Sequence, residues 1–201
     1  MTWQRCPRPL GALALACTLI VASCADDAAP TDDSASGGES ASQLALIVPP
    51  RPGETPDVTS GIPHVQLDQT SSDELFDQLV TQSFALEGVV EQPSRASRPG
   101  ARALTVAPGL PARTDAMIVG REFAHIHPKT SGGGSLHARL TADHAATVVD
   151  QGWGQYHPFA IDGTIPNLVM VYAPRDDEDL EVVMTIVSAA ATYATATDDT
   201  P

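Results

Sequence analysis

Apolar positions in this chain change their spacing several times, and each change marks an element. Behind the capping box Ser71-Ser72-Asp73-Glu74, the residues Leu75, Phe76, Leu79 and Val80 recur at helical intervals and predict a helix over 72–85, ending near Gly88. Residues 103–107 and 117–128 read as strands. Along the second, strict alternation predicts Phe123, His125 and His127 on one face and Glu122, Ala124 and Ile126 on the other. The glycine-rich turn at 131–134 then predicts a hairpin whose return strand, 135–140, sets His137 across from the His125/His127 pair. Thr141 reads as the cap of a short helix carrying Ala145, Val148 and Val149, and Gly152 as its left-handed stop. A strand over 168–173 follows. Acidic residues 176–178 open a closing helix whose inner stripe is Leu180, Val183, Met184 and Val187. This order predicts an α+β fold: one domain, a mainly antiparallel sheet and about three packed helices.

The chain's ends follow no such pattern. Arg5 and Arg8 precede the apolar run LGALALACTLIVAS and the sequence Val21-Ala22-Ser23-Cys24, which reads as a lipoprotein signal over 1–23 with Cys24 as the lipid-bearing residue. Residues 24–45 are small, polar and acidic and predict a disordered tether; the domain is expected over 46–196 and a polar tail over 197–201. The implied location is the bacterial cell envelope, outside the cytoplasm, with the membrane as a partner through the lipid. Of 3 cysteines, only Cys24 would survive cleavage, so no intrachain disulfide is expected and the core alone must hold the domain. The net charge of −14, with Lys129 the sole lysine, argues against nucleic acid as a partner, because displacing counterions from phosphate needs many cations.

Five of the 6 histidines fall between Arg121 and Arg175. Imidazole is the side chain most easily turned to proton transfer or metal ligation near neutral pH, so this density locates a candidate site. His125, His127 and His137, with His157 as a fourth, fit either a metal cluster or a metal-free substrate pocket. No carboxylate follows the HxH pair, which counts against a cupin-type metal site. His64 reads as a surface residue of the lead-in, and His144 as an exposed helix-start residue without a role. Trp153 fits a pocket wall as well as a core position. Arg175, ahead of an acidic run, reads as a surface ion pair or an anion clamp. The chain has no GxSxG, Walker, GxGxxG or HExxH motif.

Taken together, SRPGARAL, VGREFAHIHP, GSLH, GWGQYHP and MVYAPRD, in that order, resemble the luciferase-domain family typified by fungal luciferase. The resemblance implies oxidation of a small enolisable or aromatic molecule by molecular oxygen as co-substrate, with no added metal or organic cofactor. It implies His125, His127 and His137 as acid/base or oxygen-orienting groups. Trp153, His157 and Tyr172 would line the pocket, and Arg175 would pair with an enolate or carboxylate. A non-catalytic ligand-binding lipoprotein and a His-ligated metalloprotein stand as alternatives. The PKTSGGGSLH segment departs from the tighter Asp-Gly-Ser-Leu-His turn of relatives, which predicts a looser mouth beside His137.

Overall fold

A computed structural model describes residues 44–197. The expected signal segment, most of the tether and the tail beyond Thr197 lie outside the described residues. Helix α1 spans Asp73–Phe84, where the Ser72 hydroxyl accepts the Leu75 N–H as the capping box predicts. The strands are β1 (Val89–Pro93), β2 (Arg102–Val106), β3 (Glu122–Ile126), β4 (Leu136–Arg139), β5 (Gly154–Tyr156) and β6 (Leu168–Val171). Helix α2 spans Ala142–Asp150, capped by Thr141, and Gly152 takes a left-handed φ of 77° just beyond it. The one-turn helix α3 covers Pro158–Ile161, and α4 covers Asp177–Thr195 behind the Asp176 cap.

All strand pairs are antiparallel, in the spatial order β1-β2-β3-β4-β6-β5. The predicted α+β class therefore holds, with β1, β5 and α3 added. β1 ends on a proline at a sheet edge and β5 has three residues, so neither carries a strand-like run long enough to read in advance. The predicted long strand over 117–128 is cut to Glu122–Ile126. Gly120, at φ 60°, turns the chain so that Ile118 N–H donates back to the Glu122 carbonyl.

One sheet face carries Leu104, Ala124, Ile126, Leu136, Ala138, Val169 and Val171 into a single core with α1 and α4. Leu79, Val183, Ile186, Val187 and Ala190 are wholly buried on the helix side. The opposite face is also sealed from water. There His125 pairs with His137 across β3–β4, and His137 pairs with Met170 across β4–β6. Segment 57–71 closes over this face: Val58 bridges Gln66, and Gln66 Oε1 accepts the Ala173 N–H.

The alternation expected for β3 breaks at one residue. Thr105 pairs with Glu122 while Leu104 pairs with Ala124, so Phe123 is an extra residue in a β-bulge. Phe123 thus joins the hydrophobic core, and Glu122 moves to the face of His125, with which it hydrogen-bonds. The face assignment drawn from simple alternation is therefore wrong at Glu122 and Phe123, because a bulge shifts the side-chain period by one.

Candidate functional site

Five imidazoles, His64, His125, His127, His137 and His157, are each no more than 5% exposed; His125, His127 and His157 pack edge to face on His137, and His64 packs edge to face on His157. The adjoining cavity has a volume of about 260 Å³, and its walls include His64, His127, His137, His157, Arg98 and Phe159. That volume is just below the ~300–1,000 Å³ of most ligand clefts, so the space suits a small molecule.

For neutral rings the hydrogen bonds have one consistent tautomer assignment. Gln155 Nε2–H donates to His64 Nε2 (2.9 Å), which leaves His64 Nδ1–H to donate to His137 Nε2 (3.2 Å). His137 Nδ1–H then donates to His125 Nε2 (3.0 Å), and His125 Nδ1–H donates to Glu122 Oε1 (2.9 Å). At the other end, Tyr172 OH donates to Gln155 Oε1 (3.1 Å). Six side chains form one polarised chain in which every neutral ring uses both nitrogens. The carboxylate can only accept, so it sets the direction of all the bonds before it.

Two rings are arranged differently. The Ser135 hydroxyl spends its proton on the Gly132 carbonyl (2.7 Å), so it must accept from His127 Nδ1–H (2.9 Å), and His127 Nε2 keeps a bare lone pair. His157 caps α3 with Nδ1, which accepts the Phe159 N–H (3.0 Å), so its proton is on Nε2. Among the described residues, neither His127 Nε2 nor His157 Nε2 has a hydrogen-bond partner, and both rings line the cavity. Close approach to His127 depends on Gly132: a Cβ there would lie 2.9 Å from the ring, and the backbone holds φ at 89°.

Burial, reinforced by the neighbouring rings, pushes His127 down to about 3, and burial with the same kind of help pushes His157 down to about 4. Burial likewise lowers His64, and with its neighbours carries His137 well below the usual range. The cavity therefore presents neutral imidazoles at neutral pH. Burial alone would raise Glu122, but hydrogen bonds from His125, the Arg95 N–H and the Ser94 hydroxyl outweigh it and hold the carboxyl below its ordinary value.

His127, His137 and His157 line the cavity, His125 packs behind His137, and Tyr172, expected to line the pocket, does not line it but reaches His64 through Gln155. His64, expected at the surface, is 4% exposed and sits between His137 and Gln155. Nothing local in the sequence reveals this, because its partner is 73 residues away. Trp153 is a core residue whose indole N–H donates to the Pro49 carbonyl, and it does not line the cavity. Arg175 is committed to Asp179 through Nε (2.6 Å) and the second guanidinium nitrogen (3.1 Å), not to the cavity. The charged side chain that does line it is Arg98, held by Ser131 Oγ. His144, expected to be exposed, is buried, with Nε2 on the Leu44 carbonyl. Glu122, three residues before His125 and hydrogen-bonded to it, is a site residue that the sequence pattern does not single out.

Nitrogens of His125, His127 and His137 lie within 4.8 Å of one another, as do those of His64, His137 and His157. Either triad offers donors that could hold a metal ion, and within them the parallel His64 and His137 rings meet through an N···N contact of 3.2 Å.

Fold and site together define an α+β domain with a buried, carboxylate-anchored imidazole cluster under a small cleft. Residues 120–190 match the family model described as Luciferase domain. The luciferases of Armillaria gallica and Armillaria mellea are each 40% identical to it over 78 residues, covering 37% of this chain and 29% of theirs. The luciferase of Neonothopanus nambi is 38% identical over 78 residues, covering 37% of this chain and 28% of its own. The chain thus matches under a third of the length of these relatives. No solved structure matches it. Glu122, His125, His127, His137 and His157 lie inside the matched segment, and His64 lies outside it.

Proposed function

We propose that this domain is a cofactor-independent oxygenase that holds a small enolisable or aromatic molecule in the imidazole cavity and exposes its anion to molecular oxygen. The observation that carries this reading is the pairing of a bare lone pair, His127 Nε2, with a proton donor, His157 Nε2–H, on the walls of one cavity. The lone pair can take a proton from the ligand and the donor can hold the resulting oxyanion. An anion entering the cavity also raises the affinity of His127 for that proton, offsetting the effect of burial. Arg98 supplies the positive charge on the cavity wall, and Ile62 and Phe159 give the walls apolar surface for a ring. The names of the matched relatives agree with this chemistry.

The test is oxygen consumption by the purified protein with hydroxy-pyrones and enolisable phenols. Uptake should be abolished or fall at least tenfold in H127A; unchanged uptake in H125A and H127A removes the proposal. A second reading, ligand capture without chemistry, draws on the exposed apolar surface of Ile62 and Phe159 at the cavity. It requires a compound that raises the melting temperature and is recovered intact. We further propose export and lipid anchoring at Cys24, supported by Arg5, Arg8 and the apolar run before Val21-Ala22-Ser23. Labelled fatty acid should enter the wild-type protein and not C24S. No helix among the described residues is long and apolar enough to cross a membrane.

A further inference from the structure

The imidazole chain has two ends, and they open in different places. His64 and His137 line the cavity described above. Glu122 lines a separate cleft of about 290 Å³ at the β1–β2 edge of the sheet, with Gln92, Arg95, Thr105 and Arg121 around it. Between them lie only N···N and N···O contacts of 2.9–3.2 Å, to which neutral rings give one sense. A purely structural network needs neither a continuous sense nor an outlet at each end.

We propose that His64, His137, His125 and Glu122 form a proton conduit from the imidazole cavity to this second cleft, with Glu122 as the terminal acceptor. The proposal rests on reading the first cavity as the reaction chamber. A ligand O–H other than the one that meets His127 takes the place of the Gln155 amide at His64 Nε2, so the relayed proton is a second one. Its proton bonds to His64 Nε2, and the electron pair of the broken O–H bond stays on the ligand oxygen. His64 Nδ1–H passes to His137 Nε2, His137 Nδ1–H to His125 Nε2, and His125 Nδ1–H to Glu122 Oε1. Three N–H bonds and one O–H bond break, and three N–H bonds and one O–H bond form. No ring is left charged. One negative charge has in effect moved from Glu122 to the ligand, beside Arg98, and the reverse sequence returns a proton at the end of turnover. Glu122 is thus a positioning residue that acts through the rings, and the bulge at Phe123 is what delivers it.

The test has an arm that needs no substrate. Nitrogen-resolved NMR of the labelled, resting protein should show the Nδ1–H tautomer at His64, His125 and His137, and Nε2–H at His157. An Nε2–H tautomer at His125 or His137 overturns the proposal. In E122Q, whose side chain can donate as well as accept, the uniform tautomer should be lost as far away as His64. With a turned-over substrate, kcat should fall at least tenfold at unchanged KM, and E122D should restore both tautomers and most of the rate. Unchanged His64 and His137 signals or an unchanged kcat in E122Q also overturn it. If the wild-type protein oxidises nothing, the oxygenase reading fails, while the tautomers still decide the direction of the chain.

Discussion

The two faces of the sheet are equally dry, yet they carry opposite chemistry. On β4, Leu136 and Ala138 are 0% exposed on the helix side, while His137, the residue between them, is 4% exposed on the other. One face lowers its free energy by removing hydrocarbon from water. The other is held by hydrogen bonds along the chain from Gln155 to Glu122, since an unpaired buried polar atom costs roughly 1–3 kcal/mol. Burial by itself therefore does not distinguish core from site in this protein; the hydrogen-bond pattern does. Every ring nitrogen in the chain from Gln155 to His125 has a partner, whereas His127 and His157, outside that chain, each leave Nε2 without one and line the cavity.

Acid should separate the faces most strongly. His127 and His157 are pushed down to about 3 and about 4 in the folded protein, and His64 and His137 are lowered too, whereas in the unfolded chain each ring titrates near its ordinary 6.5. Below pH 6.5 the unfolded chain thus binds more protons than the native one, so stability is full above that pH and falls as pH drops toward 4. Each ring that stays neutral contributes about 1.4 kcal/mol per pH unit in this window. Several rings together reach the ~5 kcal/mol scale of a small domain's whole stability. Denaturant titrations at pH 7.5, 6 and 5 should show the midpoint falling, and H157Q should flatten the trend. A midpoint that stays level from pH 7.5 to 5 would contradict neutral, buried rings.

On the apolar face, the corresponding change is L136A, which should cost about 2–5 kcal/mol at any pH, because a wholly buried side chain leaves a cavity. The contrast with acid is in the pH dependence: the loss in L136A should be the same at pH 7.5 and pH 6. A pH-dependent loss in L136A would mean that the two faces are not energetically separate.

How much of this contrast the sequence displays follows from where its causes lie. Local causes are readable: Ser72 and Thr141 cap their helices, and the hairpin that places His137 opposite His125 follows from an alternating run, a glycine turn and a second run. Non-local causes are not. The position of His64 depends on a ring 73 residues away, and that of Trp153 on the Pro49 carbonyl. His144 is buried by the backbone at Leu44, which its own helix gives no hint of. The bulge at Phe123 lies between. REFAHIHP alternates well enough to predict a strand, but a one-residue shift moves Glu122 to the other face, and alternation cannot register an inserted residue. The carboxylate that anchors the rings thus stands before the HxH pair, on a residue that simple alternation assigns to the opposite face.

Gly132 tests the looser mouth predicted beside His137 and is expected to matter less than either face. In G132A the added methyl would meet His127 at 2.9 Å, and a left-handed φ costs a non-glycine residue about 1–2 kcal/mol. The His127 ring must give way, so the His127–Ser135 hydrogen bond should weaken, and oxygen uptake should fall by more than the loss of stability explains. Paired measurements of melting temperature and uptake check this. A variant that loses stability alone would show the glycine serves the turn and not the ring.

The smallest effect is expected where both faces end. Arg102 and Glu91 form an ion pair with separations of 2.6 and 2.7 Å across β1–β2, but their side chains remain 35% and 44% exposed. Water and salt screen such a pair, so R102Q should cost less than about 1 kcal/mol despite the bidentate geometry. Arg102 also lies 5.2 Å from the Phe84 ring centroid at the edge of the core. Any residual cost in R102Q that persists at high salt belongs to that packing, since added salt weakens exposed ion pairs and leaves apolar contact intact. Denaturation of R102Q and the wild type at low and high salt separates the two contributions. A cost as large as that of L136A would mean that the apolar face extends to the sheet rim, and the contrast between buried faces and solvated edge would have to be redrawn.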